Sequence, residues 1–189
     1  LKVFSSKVDE LKSQKVGEVS TDLCFERIPG QGRSKLCDVS DTAENGSDIS
    51  NLVAHAFREM TRTSEIAIQN GGGVRIDVPK GDFSVGTAYK LLPFANTIVE
   101  LEMTGEEISK VLEEALDLAL KPDGSTGAYP YAAGLRWHID ASKPFGSRFS
   151  NIQFKAPGDN QWSELDLMRT YKVSTNNYSA AGKDGYKTF

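Results

Sequence analysis

The feature that most constrains the fold is a strand followed directly by a capped helix. Residues 99–103 alternate apolar and acidic side chains, which predicts a strand with one face in the core and one in water. Thr104 and Glu107 then have the spacing of a capping box. Apolar residues follow at helical spacing and end before Pro122: Ile108, Val111, Leu112, Ala115, Leu116 and Ala119. This stretch therefore predicts an amphipathic helix that packs against the core.

Further elements are predicted on both sides of this helix. A weakly amphipathic helix is expected over residues 1–15 and a strand over residues 16–27. A third helix should begin near Ser47 or Asp48. Its predicted core face contains Leu52, Val53, Ala56, Phe57 and Met60. Alternating residues predict strands near 135–139, 152–154 and 171–175, so the chain should contain both helices and sheets.

Composition excludes several classes of protein. The chain has 189 residues, of which 39% are hydrophobic and 25% are charged, which is ordinary globular usage and long enough for one sizeable domain. The formal net charge of −4 argues against a general nucleic-acid binder. No apolar run approaches the roughly 20 residues of a membrane span, and no signal peptide is visible. Because the chain begins at Leu1 rather than at methionine, we expect it to be a piece of a longer protein.

The two cysteines permit two interpretations. Cys24 and Cys37 flank a segment that contains Pro29, Gly30 and Gly32 and could fold back on itself. A disulfide between them would imply an oxidising compartment. The alternative is a pair of unrelated buried thiols, and the residues alone favour neither.

A glycine turn is the first candidate for ligand binding. Residues 65–69 alternate and predict a strand, after which Asn70 is followed by three glycines, Val74 and Arg75. The turn can be ordinary loop geometry. Alternatively, its amides could hold an anion, with the Arg75 guanidinium as an additional donor to a phosphate or carboxylate.

The remaining chemistry favours binding over catalysis. The sequence contains no His-Glu-x-x-His motif, no nucleophile elbow and no phosphate-binding P-loop, and we interpret His55 and His138 as surface residues. Arginines in loops could hold phosphate, Phe94 and Tyr178 could stack on a flat ring, and Asp184 could accept hydrogen bonds from sugar hydroxyls. Together these residues predict a nucleotide-binding site.

Five motifs, in this order, resemble the C-terminal domain of the 5'-nucleotidase family. They are residues 70–75 (Asn-Gly-Gly-Gly-Val-Arg), residues 92–97 (Leu-Pro-Phe-Ala-Asn-Thr), the capped helix from Thr104, residues 134–137 (Gly-Leu-Arg-Trp), and residues 177–186 (Asn-Tyr-Ser-Ala-Ala-Gly-Lys-Asp-Gly-Tyr). The family includes bacterial UDP-sugar hydrolases and NAD nucleotidases and animal ecto-5'-nucleotidases. The resemblance covers nearly the whole chain.

The resemblance implies an α+β fold in which mixed sheets are layered with helices. Residues 1–15 would be an interdomain linker helix and residues 16–189 the substrate-binding domain. No cofactor is expected in this chain, because a separate N-terminal metallophosphoesterase domain would hold two divalent metal ions. That domain and nucleoside phosphates or dinucleotides would be the partners, without nucleic acid or a membrane span. The location would be periplasmic or extracellular.

Site residues carry over from the family by motif. Phe94 and Tyr178 would stack on the base, with Tyr178 where the family usually has phenylalanine, and Asp184 would bind the ribose hydroxyls. Phosphates would be held by Arg33 and Arg75. The remaining substrate-binding positions would be Asn70, Gly73 and Asn96. The family often has a second arginine where this chain has Cys37, and residues 30–37 are most similar to the NAD nucleotidase branch.

Two other functions make different predictions. A binding or adhesion module with the same fold and no pocket would not depend on Phe94 or Tyr178 for nucleoside binding. A self-contained hydrolase using Asp184 and His138 would release phosphate by itself. The substrate-binding domain of a two-domain nucleotidase should not turn over substrate alone.

Overall fold

A computed structural model describes residues 2–189 of the chain, with side chains from Ser6 onward. The helices are α1 Lys2–Ser13, α2 Val39–Thr42, α3 Asp48–Thr61, α4 Val85–Leu91, α5 Gly105–Leu120 and α6 Asn177–Ala180. The strands are β1 Lys15–Val19, β2 Ile66–Asn70, β3 Gly81–Ser84, β4 Ile98–Thr104, β5 Pro130–Ala133, β6 Leu135–Ile139, β7 Phe149–Phe154, β8 Ser163–Glu164 and β9 Thr170–Asn176. Short 3-10 turns lie at Gly71–Gly73, Thr126–Ala128 and Lys183–Gly185. This combination confirms the predicted α+β class.

The chain divides into two compact units. The first unit contains the described residues up to Ile49 together with Gly73–Ala95, and the second contains Ser50–Gly72 and Asn96–Phe189. In the first unit, β1 pairs antiparallel with β3. The predicted strand over residues 16–27 is shorter than expected, because regular pairing ends at Val19 and resumes only as a single bridge between Leu23 and Val78.

The second unit contains two sheets. The larger has the order β4-β9-β2-β5 and is mixed, since β2 runs parallel to β9 while the other two pairs are antiparallel. The smaller sheet, β6-β7-β8, is antiparallel. In the parallel pair Ile66 lies opposite Val173, so the carboxyl ends of β2 and β9 lie side by side.

Helix α5 covers this unit's main core. Its buried residues Ile108, Val111 and Leu112 pack with Ile68 of β2 and Val173 of β9. The predicted capping box is confirmed: the Glu107 amide donates to Thr104 Oγ1 over 3.2 Å, and the Thr104 amide donates to Glu107 Oε2 over 2.8 Å. Strand β2 departs from the alternation expected of it, because all five of its residues are buried as an interior strand of the sheet.

The predicted core face of α3 is partly wrong. Leu52 and Met60 are 48% and 72% exposed, whereas Ile49, Val53 and Ala54 are buried. The apolar residues of α3 lie mainly on one side of the helix, but helical spacing does not show which of them other parts of the protein cover. Within residues 2–189, no helix combines the length and apolar character that crossing a membrane requires.

Candidate functional site

Arg33 lies on a loop of the first unit that a disulfide closes. Cys24 and Cys37 are bonded, with their Cα atoms 5.9 Å apart, so the disulfide interpretation of the two cysteines is confirmed. Gly30 and Gly32 have φ angles of 70° and 77°, in the left-handed region that favours glycine. The Arg33 side chain is exposed.

Two carboxylates fix the backbone of this loop. Glu26 is fully buried, and its Oε1 accepts hydrogen bonds from the Arg33 amide over 2.9 Å and the Ser34 amide over 3.3 Å. Asp77 accepts from the Lys35 amide over 2.8 Å, from Ser34 Oγ over 2.7 Å and from the Phe25 amide over 2.7 Å. The loop is therefore organised through its main chain, which leaves the conformation of Arg33's side chain undetermined by these bonds.

Arg75 and Phe94 are brought together in the first unit. The Arg75 guanidinium carbon lies 5.8 Å from the centroid of the Phe94 ring, within the range of a cation–π contact. The Arg75 amide donates to the Leu91 carbonyl over 3.1 Å, which ties the residue to the end of α4. Phe94 is 51% exposed, so much of its ring faces solvent.

The glycine turn has a packing reason in the second unit. A Cβ atom on Gly72 would lie 3.0 Å from the Gly127 Cα, so the two backbones approach more closely than side chains allow. None of the three glycines has a positive φ. The Gly71 amide donates to the Tyr129 carbonyl over 2.8 Å, so this amide is already used inside the protein. These contacts support the loop-geometry interpretation and leave the predicted role of Gly73 untested.

Asp184, Tyr178 and Asn70 meet in the second unit. Asn70 Nδ2 donates to Asp184 Oδ2 over 2.9 Å, and the Tyr178 hydroxyl donates to Asp184 Oδ1 over 3.2 Å. Burial, followed by the charge of Asp184 and this hydrogen bond, raises the pKa of the Tyr178 hydroxyl, so it remains a neutral donor at physiological pH. Tyr178 is 42% exposed, whereas Asp184 is half-buried.

Asn96 lies exposed immediately before β4, in the same unit. The next residue, Thr97, exchanges hydrogen bonds with Asn177 at the start of α6: its amide donates to Asn177 Oδ1 over 3.0 Å, and its carbonyl accepts from the Asn177 amide over 2.9 Å. The loop that carries Asn96 is thus fixed to the segment that carries Tyr178.

Sequence reasoning missed the residues that support these side chains. Glu26 and Asp77 accept hydrogen bonds from the backbone of the Arg33 loop. Buried Asn176 donates hydrogen bonds to the side-chain oxygens of both Asn70 and Gln69. The available signal at Gln69 was a polar residue near the end of an otherwise apolar strand, whereas Asn176 follows other polar residues in its strand and carries no such signal. Such residues must find hydrogen-bond partners when they are buried.

The two histidines are exposed, as predicted for a surface position. Across residues 2–189, no three His, Cys, Asp or Glu side chains are grouped so that they could hold a metal ion. The first unit thus presents arginines and an exposed ring, which suit an anion and a flat group. The second unit by itself presents a partly exposed ring and a hydrogen-bonded carboxylate.

Comparison with known proteins identifies the class. The sequence model of the 5'-nucleotidase C-terminal domain matches residues 16–189, so the chain belongs to this family. It is 35% identical over 187 residues to the NAD 5'-nucleotidase of Haemophilus influenzae, which covers 98% of this chain and 30% of that protein. It is 40% identical over 125 residues to a probable 5'-nucleotidase of Treponema pallidum, which covers 66% of this chain and 21% of that protein.

Solved structures agree with this assignment. The Haemophilus influenzae NAD nucleotidase superposes with a TM-score of 0.83 at 34% identity, covering 99% of this chain and 32% of the other. A 5'-nucleotidase precursor from Thermus thermophilus gives a TM-score of 0.80 at 33% identity, covering 99% of this chain and 34% of the other. The chain thus spans about a third of the length of these proteins or less.

Proposed function

We propose that this chain is the nucleotide-binding part of a two-domain, metal-dependent 5'-nucleotidase. The observation that carries the proposal is the family match over residues 16–189, which contain candidate residues for base, ribose and phosphate, with Cys37 in place of the family's second arginine. The relatives named as 5'-nucleotidases are about three times longer or more, which is consistent with a further domain in the whole protein.

Two exposed aromatic rings support a role in base binding. Phe94 and Tyr178 are 51% and 42% exposed, although burial of such rings would ordinarily be favourable. Stacking on a flat base contributes about 1 to 3 kcal/mol per base. In the proposed function each ring stacks on the base of the nucleotide.

Polar groups supply the other proposed contacts. Arg33 and Arg75 bind the phosphates, since guanidinium groups match phosphate oxygens in charge and geometry. The Asp184 carboxylate accepts hydrogen bonds from the ribose hydroxyls. Asn70, Gly73 and Asn96 are the further substrate-binding residues of this proposal. Cys37 replaces the second arginine common in the family and is consumed in the disulfide, so phosphate binding rests on fewer cations here.

Hydrolysis is assigned to the further domain. Two divalent metal ions there would supply the Lewis acid and the activated water, and this chain would supply and orient the nucleotide. Helix α1, within residues 1–15, would be the linker to that domain. The disulfide supports a periplasmic or extracellular location, because such bonds persist in oxidising compartments.

Calorimetric titration of adenosine, AMP and NAD into the chain, without added metal, tests the proposal. NAD is included because of the name of the Haemophilus influenzae relative. Saturable binding is expected, and Phe94→Ala should weaken it about tenfold, the equivalent of about 1.4 kcal/mol of stacking. Phe145→Ala is the matched control, because Phe145 is also 51% exposed and has no assigned role.

The result separates the candidate functions. Equal affinity in Phe94→Ala and Phe145→Ala would contradict base stacking by Phe94. No saturable binding of any of the three ligands would contradict a nucleotide-binding role for this chain and favour a module with the fold but without the pocket. Phosphate release from AMP by the chain alone would contradict the assignment of hydrolysis to another domain.

A further inference from the structure

A chain of buried amide side chains lies behind Asp184. Asn176 Nδ2 donates to Asn70 Oδ1 over 2.9 Å and to Gln69 Oε1 over 3.1 Å. Asn70 Nδ2 in turn donates to Asp184 Oδ2 over 2.9 Å. Gln69, Asn70 and Asn176 are 1%, 4% and 1% exposed. The chain therefore links the half-buried Asp184 carboxylate to the interior of the sheet.

Strand pairing explains why these residues meet. β2 and β9 are parallel, with Ile66 opposite Val173 and Ala67 opposite Ser174. Continuing this register places Gln69 and Asn70 beside Asn176 at the carboxyl ends of both strands. The amides are consequently held by two interior strands of a four-stranded sheet rather than by a loop.

The hydrogen bonds have one consistent direction. An ionised carboxylate can only accept, so Asn70 must present its NH2 group to Asp184 and its oxygen to Asn176. Asn176 must then present its NH2 group to Asn70, and its own oxygen accepts from the Ser179 amide over 2.9 Å as the N-cap of α6. Because the Ser179 amide can only donate, it independently fixes the Asn176 oxygen, and the Asn176 NH2 group then sets the orientation of the Asn70 amide.

The local backbone does not by itself fix Asp184. Its φ and ψ angles are 52° and 32°, a left-handed conformation that is uncommon for a residue with a side chain. Gly182 and Gly185 on either side also have positive φ. The carboxylate is held by its two side-chain partners, of which Tyr178 is exposed and donates over the longer distance of 3.2 Å. Asn70 is therefore the main rigid support.

We propose that Asn176 is a positioning residue for ribose recognition, which acts through Asn70 to orient the Asp184 carboxylate toward the ribose diol. This inference rests on the proposed function, since it assigns the diol to Asp184. It adds a buried residue that touches no ligand and yet determines discrimination between nucleosides with and without ribose hydroxyls.

Two substitutions separate this role from that of a helix cap. Asn176→Asp retains an oxygen for the Ser179 amide but presents a second acceptor to Asn70 Oδ1, which removes the donor that sets Asn70. Asn176→Ser also retains a capping oxygen and is too short to reach Asn70 as Asn176 does. Thr175→Val is the matched control, because Thr175 is buried in the same strand and its hydroxyl makes no hydrogen bond within residues 2–189.

The measurement is the affinity of each protein for adenosine and for 2',3'-dideoxyadenosine, which lacks both ribose hydroxyls. The parent and Thr175→Val should each bind adenosine about tenfold more tightly than 2',3'-dideoxyadenosine. This ratio corresponds to the loss of one hydrogen bond to a charged group. Both Asn176 variants should lose most of this preference and bind the dideoxy nucleoside as the parent does. Asp184→Ala should also lose the preference for adenosine. The double variant with Asp184→Ala and Asn176→Ser should show the same affinity ratio as Asp184→Ala alone, because both changes act on the same carboxylate.

Several results would overturn the inference. A preserved preference in the folded Asn176 variants would show that Asn176 does not act on the diol, and equal weakening of both nucleosides would show a purely structural role. Unfolding of both variants, detected by circular dichroism, would likewise assign Asn176 to the fold alone. If the parent itself binds no adenosine, the proposed nucleotide-binding function fails. This outcome differs from the others, because each of those is observed in the Asn176 variants.

Discussion

Arg33 in the first unit and Asp184 in the second are fixed in opposite ways. In the first unit, a disulfide and the carboxylates of Glu26 and Asp77 hold the backbone around Arg33, and the guanidinium is left exposed. In the second unit, the side chain of Asp184 is itself held, by Asn70 and Tyr178. At Arg33 the restraint acts on the main chain, whereas at Asp184 it acts on the functional atoms.

This difference matches the proposed ligand groups. A phosphate offers several oxygens, any two of which can accept paired hydrogen bonds from an arginine guanidinium on its long side chain. A ribose diol requires an acceptor at a defined position and angle, because hydrogen bonds weaken steeply when they are bent. A fixed carboxylate suits the proposed diol, whereas an exposed arginine on a fixed loop suits the proposed phosphate.

Alkaline pH should act on the second unit with the largest effect. Burial raises the pKa of Tyr129 and, with help from the nearby Asp184 charge, raises that of Tyr186 well above the ordinary value of 10. The folded state then retains protons that the unfolded state loses, so stability is fully present below pH 10 and declines above it. Each buried tyrosine should cost about 1.4 kcal/mol of unfolding free energy per pH unit above this value.

Urea unfolding at several pH values, combined with tyrosinate absorbance, measures this effect. Tyr186→Phe should make the decline with pH shallower, although it also removes the hydrogen bond from Tyr186 to the Ala128 carbonyl. An unfolding free energy that stays constant from pH 10 to 11 would contradict the prediction.

Reduction should act on the first unit. Replacing both Cys24 and Cys37 with serine removes a crosslink between residues 13 apart in sequence and should lower the free energy of unfolding by about 3 kcal/mol in the chain-entropy description. Hydrogen exchange should show lost protection at the Arg33 and Lys35 amides, which donate to Glu26 and Asp77. Protection at Gln69 and Asn176 should change little.

Reductant provides the control for the cysteine substitutions. It should destabilise the parent by a similar amount and leave the double-serine variant unaffected. Equal stability of the parent with and without reductant, once both thiols are shown to be free, would refute the stabilising role of the crosslink.

Removing the Asp77 carboxylate should have a somewhat smaller effect. Asp77→Ala leaves two amides and one hydroxyl without their acceptor and should destabilise the protein by about 2 kcal/mol, since hydrogen bonds to charged groups contribute about 1.5 to 3 kcal/mol each and water can replace part of them. Urea unfolding is the measurement. Asp77→Asn retains one acceptor oxygen and should fall between the parent and Asp77→Ala; no difference among the three would show that the loop does not depend on this side chain.

Tyr178→Phe should have the smallest effect. It removes the 3.2 Å hydrogen bond to Asp184 and retains the exposed ring, so stability should change by no more than about 0.5 kcal/mol and adenosine affinity by less than about twofold. Scanning calorimetry measures the change in stability and titration calorimetry measures the change in adenosine affinity. Tyr178→Ala is the comparison variant, and it should weaken adenosine binding about tenfold through lost stacking. A tenfold loss in Tyr178→Phe would instead show that Asp184 depends on the tyrosine hydroxyl, and would weaken the contrast between Tyr178 and Asn70 as supports.

Local sequence signals predicted the elements well where the cause is local. The capping box of α5 depends on residues three apart, and the strand character of β4, β6 and β9 depends on alternation, so both could be inferred from neighbouring residues. The buried face of α3 could not be inferred, because Leu52 and Met60 are as apolar as the residues that pack inside. The roles of the predicted site residues remain predictions, although their motifs led to the family that the comparisons show.

The sequence by itself determined the family, the α+β class and the set of chemical groups for which nucleotide binding is proposed. Only the tertiary structure decided which of those side chains are fixed by hydrogen bonds and which residues supply those bonds. Asn176 and Asn70 are 106 residues apart, and Asn70 and Asp184 are 114 apart. No local pattern encodes such pairs, because they arise from the parallel register of β2 and β9 and from a left-handed turn at Asp184. Helices and strands can be predicted from residues close together in sequence. The position of the Asp184 carboxylate depends instead on pairing between segments that are far apart in sequence.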